Sequence, residues 1–136
     1  MTWLAARTTR RRVFWVYAIV LFILTHWPRL EVKVPGVERP DLIAHLTVFG
    51  LWYTLFFAAA FFGPLGGSAV RTVAAPWAVS VVYACFDEAL QLIPMLGRHA
   101  AWDDLAANLA GLTLAAGACL VWSRRFRATA RQESAA

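Results

Sequence analysis

Long apolar runs separated by short polar connections make up most of the 136-residue chain. The runs cover residues 13–27, 42–62, 73–94 and 105–122. Each is close to the roughly 20 residues that a helix needs to cross about 30 Å of hydrocarbon. The hydrophobic content of 60% and the mean hydropathy of +0.57 exceed those of a typical soluble domain. The pattern predicts an all-α polytopic membrane protein, a bundle of four transmembrane helices that forms one domain over residues 1–136.

The basic residues lie directly beside the apolar runs. Nine of the 13 Lys and Arg residues fall at the two termini and in the second connection, and four fall in the first and third connections. Because basic residues accumulate on the cytoplasmic side of membrane proteins, both termini are predicted to be cytoplasmic. The first and third connections then face outward. The net charge of +5 does not indicate a nucleic-acid partner, since the arginines share no polar face with interleaved aromatic residues.

Three pairs of polar residues lie near helix ends that this topology places outside. The pairs are Asp41 with His45, Glu88 with Gln91, and Asp104 with Asn108. The two members of each pair share a helical face, because they are three or four residues apart. We therefore expect one outward-facing polar site, within reach of Arg98 in the third connection. The predicted binding residues are Asp41, His45, Glu88, Gln91, Arg98, Asp104 and Asn108.

Glu88 carries the strongest physical constraint of this set. A charged side chain near the centre of a bilayer costs about 2.5 to 3.5 kcal/mol on insertion scales. Glu88 is therefore predicted to face the interior of the bundle or a water-filled crevice open to the outside. Asp87 points about 100° away around the helix and is expected at its side or toward another helix.

The order of these motifs resembles that of the VanZ-like family of small bacterial membrane proteins. The pattern is D-x-x-x-H, then D-E-x-x-Q with a following proline and arginine, and finally D-x-x-x-N-x-x-G, over residues 41–117. The matching residues are Asp41, His45, Phe49, Asp87, Glu88, Gln91, Pro94, Arg98, Asp104, Asn108 and Gly111. Leu42 and Ala101 depart from it, since the family often has a basic residue and a hydroxyl residue at these positions.

The resemblance implies a compartment and leaves the reaction open. It implies a multi-pass protein of the bacterial cytoplasmic membrane. The namesake of the family is associated with low-level resistance to the glycopeptide teicoplanin, and its molecular activity is not established. Teicoplanin carries an acyl tail and acts outside the cytoplasmic membrane on lipid-linked peptidoglycan precursors. The expected partners besides the lipid bilayer are therefore a lipid-linked envelope precursor or a glycopeptide-like amphiphile.

The residues leave several functions open. In a binding module, Arg98 and the outer polar residues would engage an anionic amphiphile. In an intramembrane enzyme, His45 or Glu88 would act as acid or base while Asp104 orients the pair. No cofactor is predicted, although His45, Glu88 and Asp104 also offer the mixed ligands of a divalent metal site. A structural protein would use the polar residues only to hold the helices together. A transporter would need oligomerisation to enclose a pathway, and the sequence leaves oligomerisation undecided.

Small residues and cysteines give two further expectations. Ala107, Gly111 and Ala115 repeat at four-residue spacing, so helix four is predicted to approach a neighbour closely on this face. Cys85 and Cys119 are predicted at different depths of the membrane, so we expect no disulfide between them and interpret both as small packing residues.

Overall fold

The computed structural model describes residues 3–28, 34–65, 67–93 and 101–133. Every element of secondary structure in these ranges is helical, which confirms the all-α prediction. The four helices are α1 (Trp3–Thr25), α2 (Pro40–Ala58), α3 (Ala75–Leu90) and α4 (Trp102–Glu133). A short π-helical turn, Val70–Ala74, leads directly into α3. Pro76 falls in the first turn of α3, directly after this π-helical turn.

Three of these helical segments are long and apolar enough to cross a membrane. They are Pro40–Ala58, Val70–Leu90 and Trp102–Arg125. The first helix differs, because four arginines occupy its amino-terminal half. Its apolar part, residues 13–25, covers only about 20 Å at the helical rise of about 1.5 Å per residue. A complete crossing by α1 therefore stays a prediction.

The helix ends differ from those predicted. The second helix ends at Ala58 instead of residue 62, because the chain turns at Ala60 with a left-handed φ of 53°. The third ends at Leu90 instead of residue 94. The fourth begins at Trp102 and continues past residue 122 into the basic tail. Arginine and alanine are good helix formers, so loss of hydrophobicity alone does not end a helix.

Arginines of α1 bind the carboxyl end of α2. Arg7 donates from Nη2 to the carbonyl oxygen of Ala60 at 2.8 Å, and Arg11 donates from Nε to that of Ala59 at 3.3 Å. Cations are favourable here, since the unpaired carbonyl groups give this helix end a partial negative charge. The guanidinium of Arg11 also lies 4.8 Å from the ring centre of Phe61. These contacts place α1 antiparallel to α2.

Helices α2 and α4 are in close backbone contact at two glycines. A Cβ atom on Gly50 would lie 3.3 Å from the carbonyl oxygen of Gly111, and a Cβ atom on Gly111 would overlap the carbonyl group of Leu46. The predicted close approach of helix four is therefore confirmed at Gly111. Small residues permit such approaches, which favour helix association in membranes.

An aromatic core fills the bundle beside this contact. Phe14 of α1 packs edge-on against Trp52 of α2 with ring centres 5.2 Å apart, and Trp52 stacks on Tyr83 of α3 at 4.9 Å. Phe49 is fully buried one helical turn after His45. The apolar core therefore begins directly below the polar residues of α2.

Candidate functional site

Four helix ends meet at one end of the bundle. These are the carboxyl ends of α1 and α3 and the amino ends of α2 and α4, which we call the polar end. The buried polar side chains at this end are Thr25, His45, Asp87, Glu88, Gln91 and Asn108. The predicted convergence of polar residues from three helices is therefore seen in the geometry, with α1 as a fourth contributor.

The α2–α4 cluster consists of His45, Asp104 and Asn108. Nδ1 of His45 lies 3.0 Å from Oδ1 of Asn108, which is fully buried. Because an amide oxygen only accepts hydrogen bonds, Nδ1 carries a proton in this orientation of the amide. Nε2 of the same ring lies 3.7 Å from Oδ2 of Asp104. The two ring nitrogens of His45 therefore face an amide and a carboxylate of α4.

Glu88 connects the end of α3 to the start of α4. Its Oε1 atom accepts the backbone N–H of Ala101 at 2.8 Å. The side chain is 5% exposed, and its second oxygen, Oε2, is buried without a hydrogen-bond partner among the described residues. Glu88 thus lies inside the bundle, as predicted from the cost of exposing a carboxylate to lipid. It keeps the capacity to accept a hydrogen bond.

The α1–α3 cluster surrounds the carboxylate of Asp87. Oδ1 of Asp87 accepts the hydroxyl of Thr25 at 3.0 Å and lies 3.5 Å from the hydroxyl of Tyr83. Nδ1 of His26 is 3.7 Å from the same oxygen. Asp87 is fully buried and points toward another helix, as expected. The sequence alone does not single out Thr25, Tyr83 or His26 as site residues.

An exposed ion-pair network forms the rim of the polar end. Nη2 of Arg39 lies 3.0 Å from Oδ2 of Asp41 and 2.6 Å from Oδ2 of Asp103. The hydrogen bond to Asp41, and then that to Asp103, raise the pKa of Arg39 above its ordinary value. Arg39 therefore stays cationic and joins the first turns of α2 and α4.

The remaining predicted site residues take different positions. Asp41 pairs with Arg39 on the rim of the polar end, and its predicted role in binding stays a prediction. Gln91 is buried directly after α3. Arg98 lies outside the described residues, so its predicted reach into the site stays a prediction. Within the described ranges, no three His, Cys, Asp or Glu side chains are arranged to hold a metal ion.

A groove opens between α3 and α4 beside Glu88. Its volume is about 410 Å³. It is lined by Cys85, Glu88, Ala89, Leu92, Ala101, Trp102 and Leu105. Trp102 is 88% exposed, so the groove opens at the surface of the helix bundle. Cys85 is exposed at this wall, whereas Cys119 is buried. Both cysteines are free, which confirms the prediction of no disulfide.

A second groove lies between α2 and α4 at the opposite end. Its volume of about 440 Å³ is similar. It is lined by Thr54, Phe57, Ala58, Leu65, Ala115, Ala118, Cys119 and Trp122. No carboxylate occurs among the described residues of its lining, which distinguishes it chemically from the groove beside Glu88.

Comparison with known protein families agrees with the resemblance noted in the sequence. The family model described as VanZ/LLP1 matches residues 14–123, which include every polar residue of the α2–α4 and α1–α3 clusters. No curated protein and no solved structure matches the chain. The family match covers most of the sequence, and three helices have the length and composition of membrane spans. The chain is therefore a membrane protein that belongs to the VanZ/LLP1 family.

Proposed function

We propose that the polar end binds a lipid-linked or amphiphilic molecule of the bacterial cell envelope on the outer side of the cytoplasmic membrane. The observation that carries the proposal is the hydrogen bonding of Glu88 and its position beside the groove. One oxygen of this buried carboxylate accepts the amide of Ala101, and the other lacks a partner among the described residues while its side chain lines an apolar groove. Such a site offers a hydrogen-bond acceptor beside a surface for hydrocarbon.

A purely structural role would not require the charged and unsatisfied polar groups found at this end of the bundle. Interhelical hydrogen bonds in membranes contribute only about 0.6 kcal/mol on average, so neutral side chains would connect the helices nearly as well. A buried polar network kept for stability is expected to satisfy its members. Here Oε2 of Glu88, Oδ1 of Asp104 and Nδ2 of Asn108 have no partner within the described part of the chain. These unused hydrogen-bonding atoms favour a role in binding a ligand.

The charge distribution supports an outward orientation of this site. Arg7 and Arg11 bind the far end of α2, and Arg124 lies near the far end of α4. Basic residues favour the cytoplasmic side, so the polar end would face outward. An outward site is accessible both to lipid-linked peptidoglycan precursors and to a glycopeptide with an acyl tail.

Binding by the purified protein tests the proposal directly. A lipid-linked peptidoglycan precursor and teicoplanin are offered separately to the protein in nanodiscs. At least one should bind, and Glu88→Gln should weaken it by about ten-fold or more, since hydrogen bonds to charged groups contribute about 1.5–3 kcal/mol. Glu38→Gln, an exposed change in the first connection, is the matched control. Undiminished binding by a well-folded Glu88→Gln protein, or binding of neither compound by the wild type, would overturn the proposal.

The α2–α4 cluster favours one alternative, an intramembrane enzyme. His45 is oriented through Nδ1 by Asn108 and faces Asp104 through Nε2, which is the arrangement of an acid–base group with an orienting partner. An enzyme would convert the precursor to a product detectable by mass spectrometry. His45→Gln would abolish that product while ligand binding persists. A binding module would give no product with either protein.

A further inference from the structure

The groove between α3 and α4 joins apolar walls to one buried acidic group. Ala89, Leu92 and Leu105 supply hydrocarbon surface, and Trp102 stands exposed at the wall. The volume of about 410 Å³ falls in the range of about 300–1,000 Å³ found for small-molecule sites. The dimensions and walls suit one hydrocarbon chain.

The carboxylate of Glu88 determines which head group a ligand with a hydrocarbon tail can carry. Oε2 of Glu88 is buried and has no hydrogen-bond partner among the described residues, so it accepts but cannot donate while ionised. Asp87 precedes Glu88, and Asp104 lies in the first turn of the facing helix. A negatively charged head group would meet like charges here, whereas a cation would neutralise part of the acidic charge.

The basic residues described at this end do not neutralise Glu88. Arg39 is hydrogen-bonded to Asp41 and Asp103 on the rim. His45 contacts Asn108 and faces Asp104. No cationic side chain in the described ranges forms an ion pair with Glu88 within 4 Å, so among these residues its carboxylate has no positively charged partner.

We propose that the α3–α4 groove binds the hydrocarbon chain of a cationic amphiphile whose primary ammonium group donates to Glu88. This inference rests on the proposed function and restricts its ligand to amphiphiles that carry a primary amino group. An ammonium group offers three donors and a compact positive charge, which suit a carboxylate whose Oε2 atom is buried without a partner among the described residues. Its chain would then lie along Ala89 and Leu105 in contact with surrounding lipid.

Photoreactive long-chain probes test this assignment. Three probes carry the same diazirine-labelled chain and differ only in the head group, which is a primary amine, an alcohol or a carboxylic acid. In nanodiscs, the amine should label the α3–α4 groove about ten-fold more than the acid does, because a charge-assisted hydrogen bond distinguishes them. The second groove, lined by Ala118 and Cys119, should show no preference.

Matched substitutions identify the groove and its carboxylate. Ala89→Trp should fill the α3–α4 groove and remove the amine preference, while Ala118→Trp fills the second groove and leaves that preference unchanged. Glu88→Gln should also remove it. For the wild type, the amine should slow alkylation of the exposed Cys85, a measurement that requires no variant.

The outcomes separate this inference from the proposed function. Equal labelling by all three probes in both grooves would show ordinary lipid contact and overturn the inference. Equal labelling by amine and alcohol would overturn the assignment of an ammonium group. If Ala89→Trp still bound the precursor or teicoplanin normally, the groove would be excluded while the proposed function stood. Selective amine labelling without binding of either envelope compound would overturn the proposed function alone.

Discussion

The Nδ1 atom of His45 lies 3.0 Å from Oδ1 of Asn108, so a buried hydrogen bond joins α2 to α4 at the polar end. The two residues are 63 positions apart in the chain, and the contact forms only when the two helices pack. Asn108 lies about one turn before Gly111, where the backbones of α2 and α4 are in close contact.

A double-mutant cycle should detect this hydrogen bond. Loss of one partner leaves a buried polar group unsatisfied, which costs about 1–3 kcal/mol. His45→Ala and Asn108→Ala should each lower the free energy of unfolding in mixed micelles. The double variant should be destabilised by less than the sum, with a coupling of about 0.5–2 kcal/mol. Strictly additive effects would mean that the bond contributes nothing to stability.

Substitution of three glycines by alanine should produce a graded series. Gly111→Ala should be the most damaging, because its new methyl group would overlap the carbonyl group of Leu46, and overpacking commonly costs about 1–3 kcal/mol. Gly50→Ala should cost less, since its methyl group would contact the Gly111 carbonyl oxygen at 3.3 Å.

Gly117→Ala is the control of this series. A methyl group there meets nothing within 4 Å, so the variant should match the wild type or gain up to about 1 kcal/mol from helix propensity. The free energy of unfolding and the folded yield in detergent measure the series. Equal stability of Gly111→Ala and Gly117→Ala would contradict the close approach of α2 and α4.

Local spacing allowed much of the polar end to be predicted. His45, Asp104 and Asn108 lie near helix ends that the alternating topology brings to one level, and the structure brings these side chains together. Asp41 shares their level and the face of His45, but its carboxylate binds the nearby guanidinium of Arg39. Helical spacing gives the direction of a Cα–Cβ bond, and it does not decide between competing partners of a side chain.

Contacts between helices that are far apart in the sequence are less predictable. Thr25 has no distinctive sequence context, and its bond to Asp87 depends on how α1 packs against α3. The end of α2 also differs, because the apolar run continues to residue 62 whereas the chain turns at Ala60. A left-handed alanine carries no sequence signature. Contacts from Arg7 and Arg11 to the carbonyl groups there stabilise this early end.

Thr25→Val should reveal the contribution of the α1–α3 cluster. The change keeps the shape but removes the hydroxyl that donates to the fully buried Asp87 at 3.0 Å. We expect a loss of about 1–3 kcal/mol, because a buried acceptor loses its donor. Thr47→Val is the control, since that exposed hydroxyl bonds only to Ile43 in its own helix. Thr25→Ser should restore most of the stability. Equal effects of the two valine substitutions would show that the contact with Asp87 is unimportant for folding.

The orientation of the bundle can be determined by labelling single cysteines in intact cells. Val34 in the first connection and Ser68 in the second are both exposed, and they lie on opposite sides of α2 along the chain. The accumulation of nine basic residues at the termini and second connection predicts that these segments are cytoplasmic. In a background with Cys85 and Cys119 replaced by alanine, Val34→Cys should react with an impermeant maleimide and Ser68→Cys should react only after the membrane is permeabilised. Labelling of Ser68→Cys alone in intact cells would invert the topology and place the polar end, with Glu88 and His45, on the cytoplasmic side.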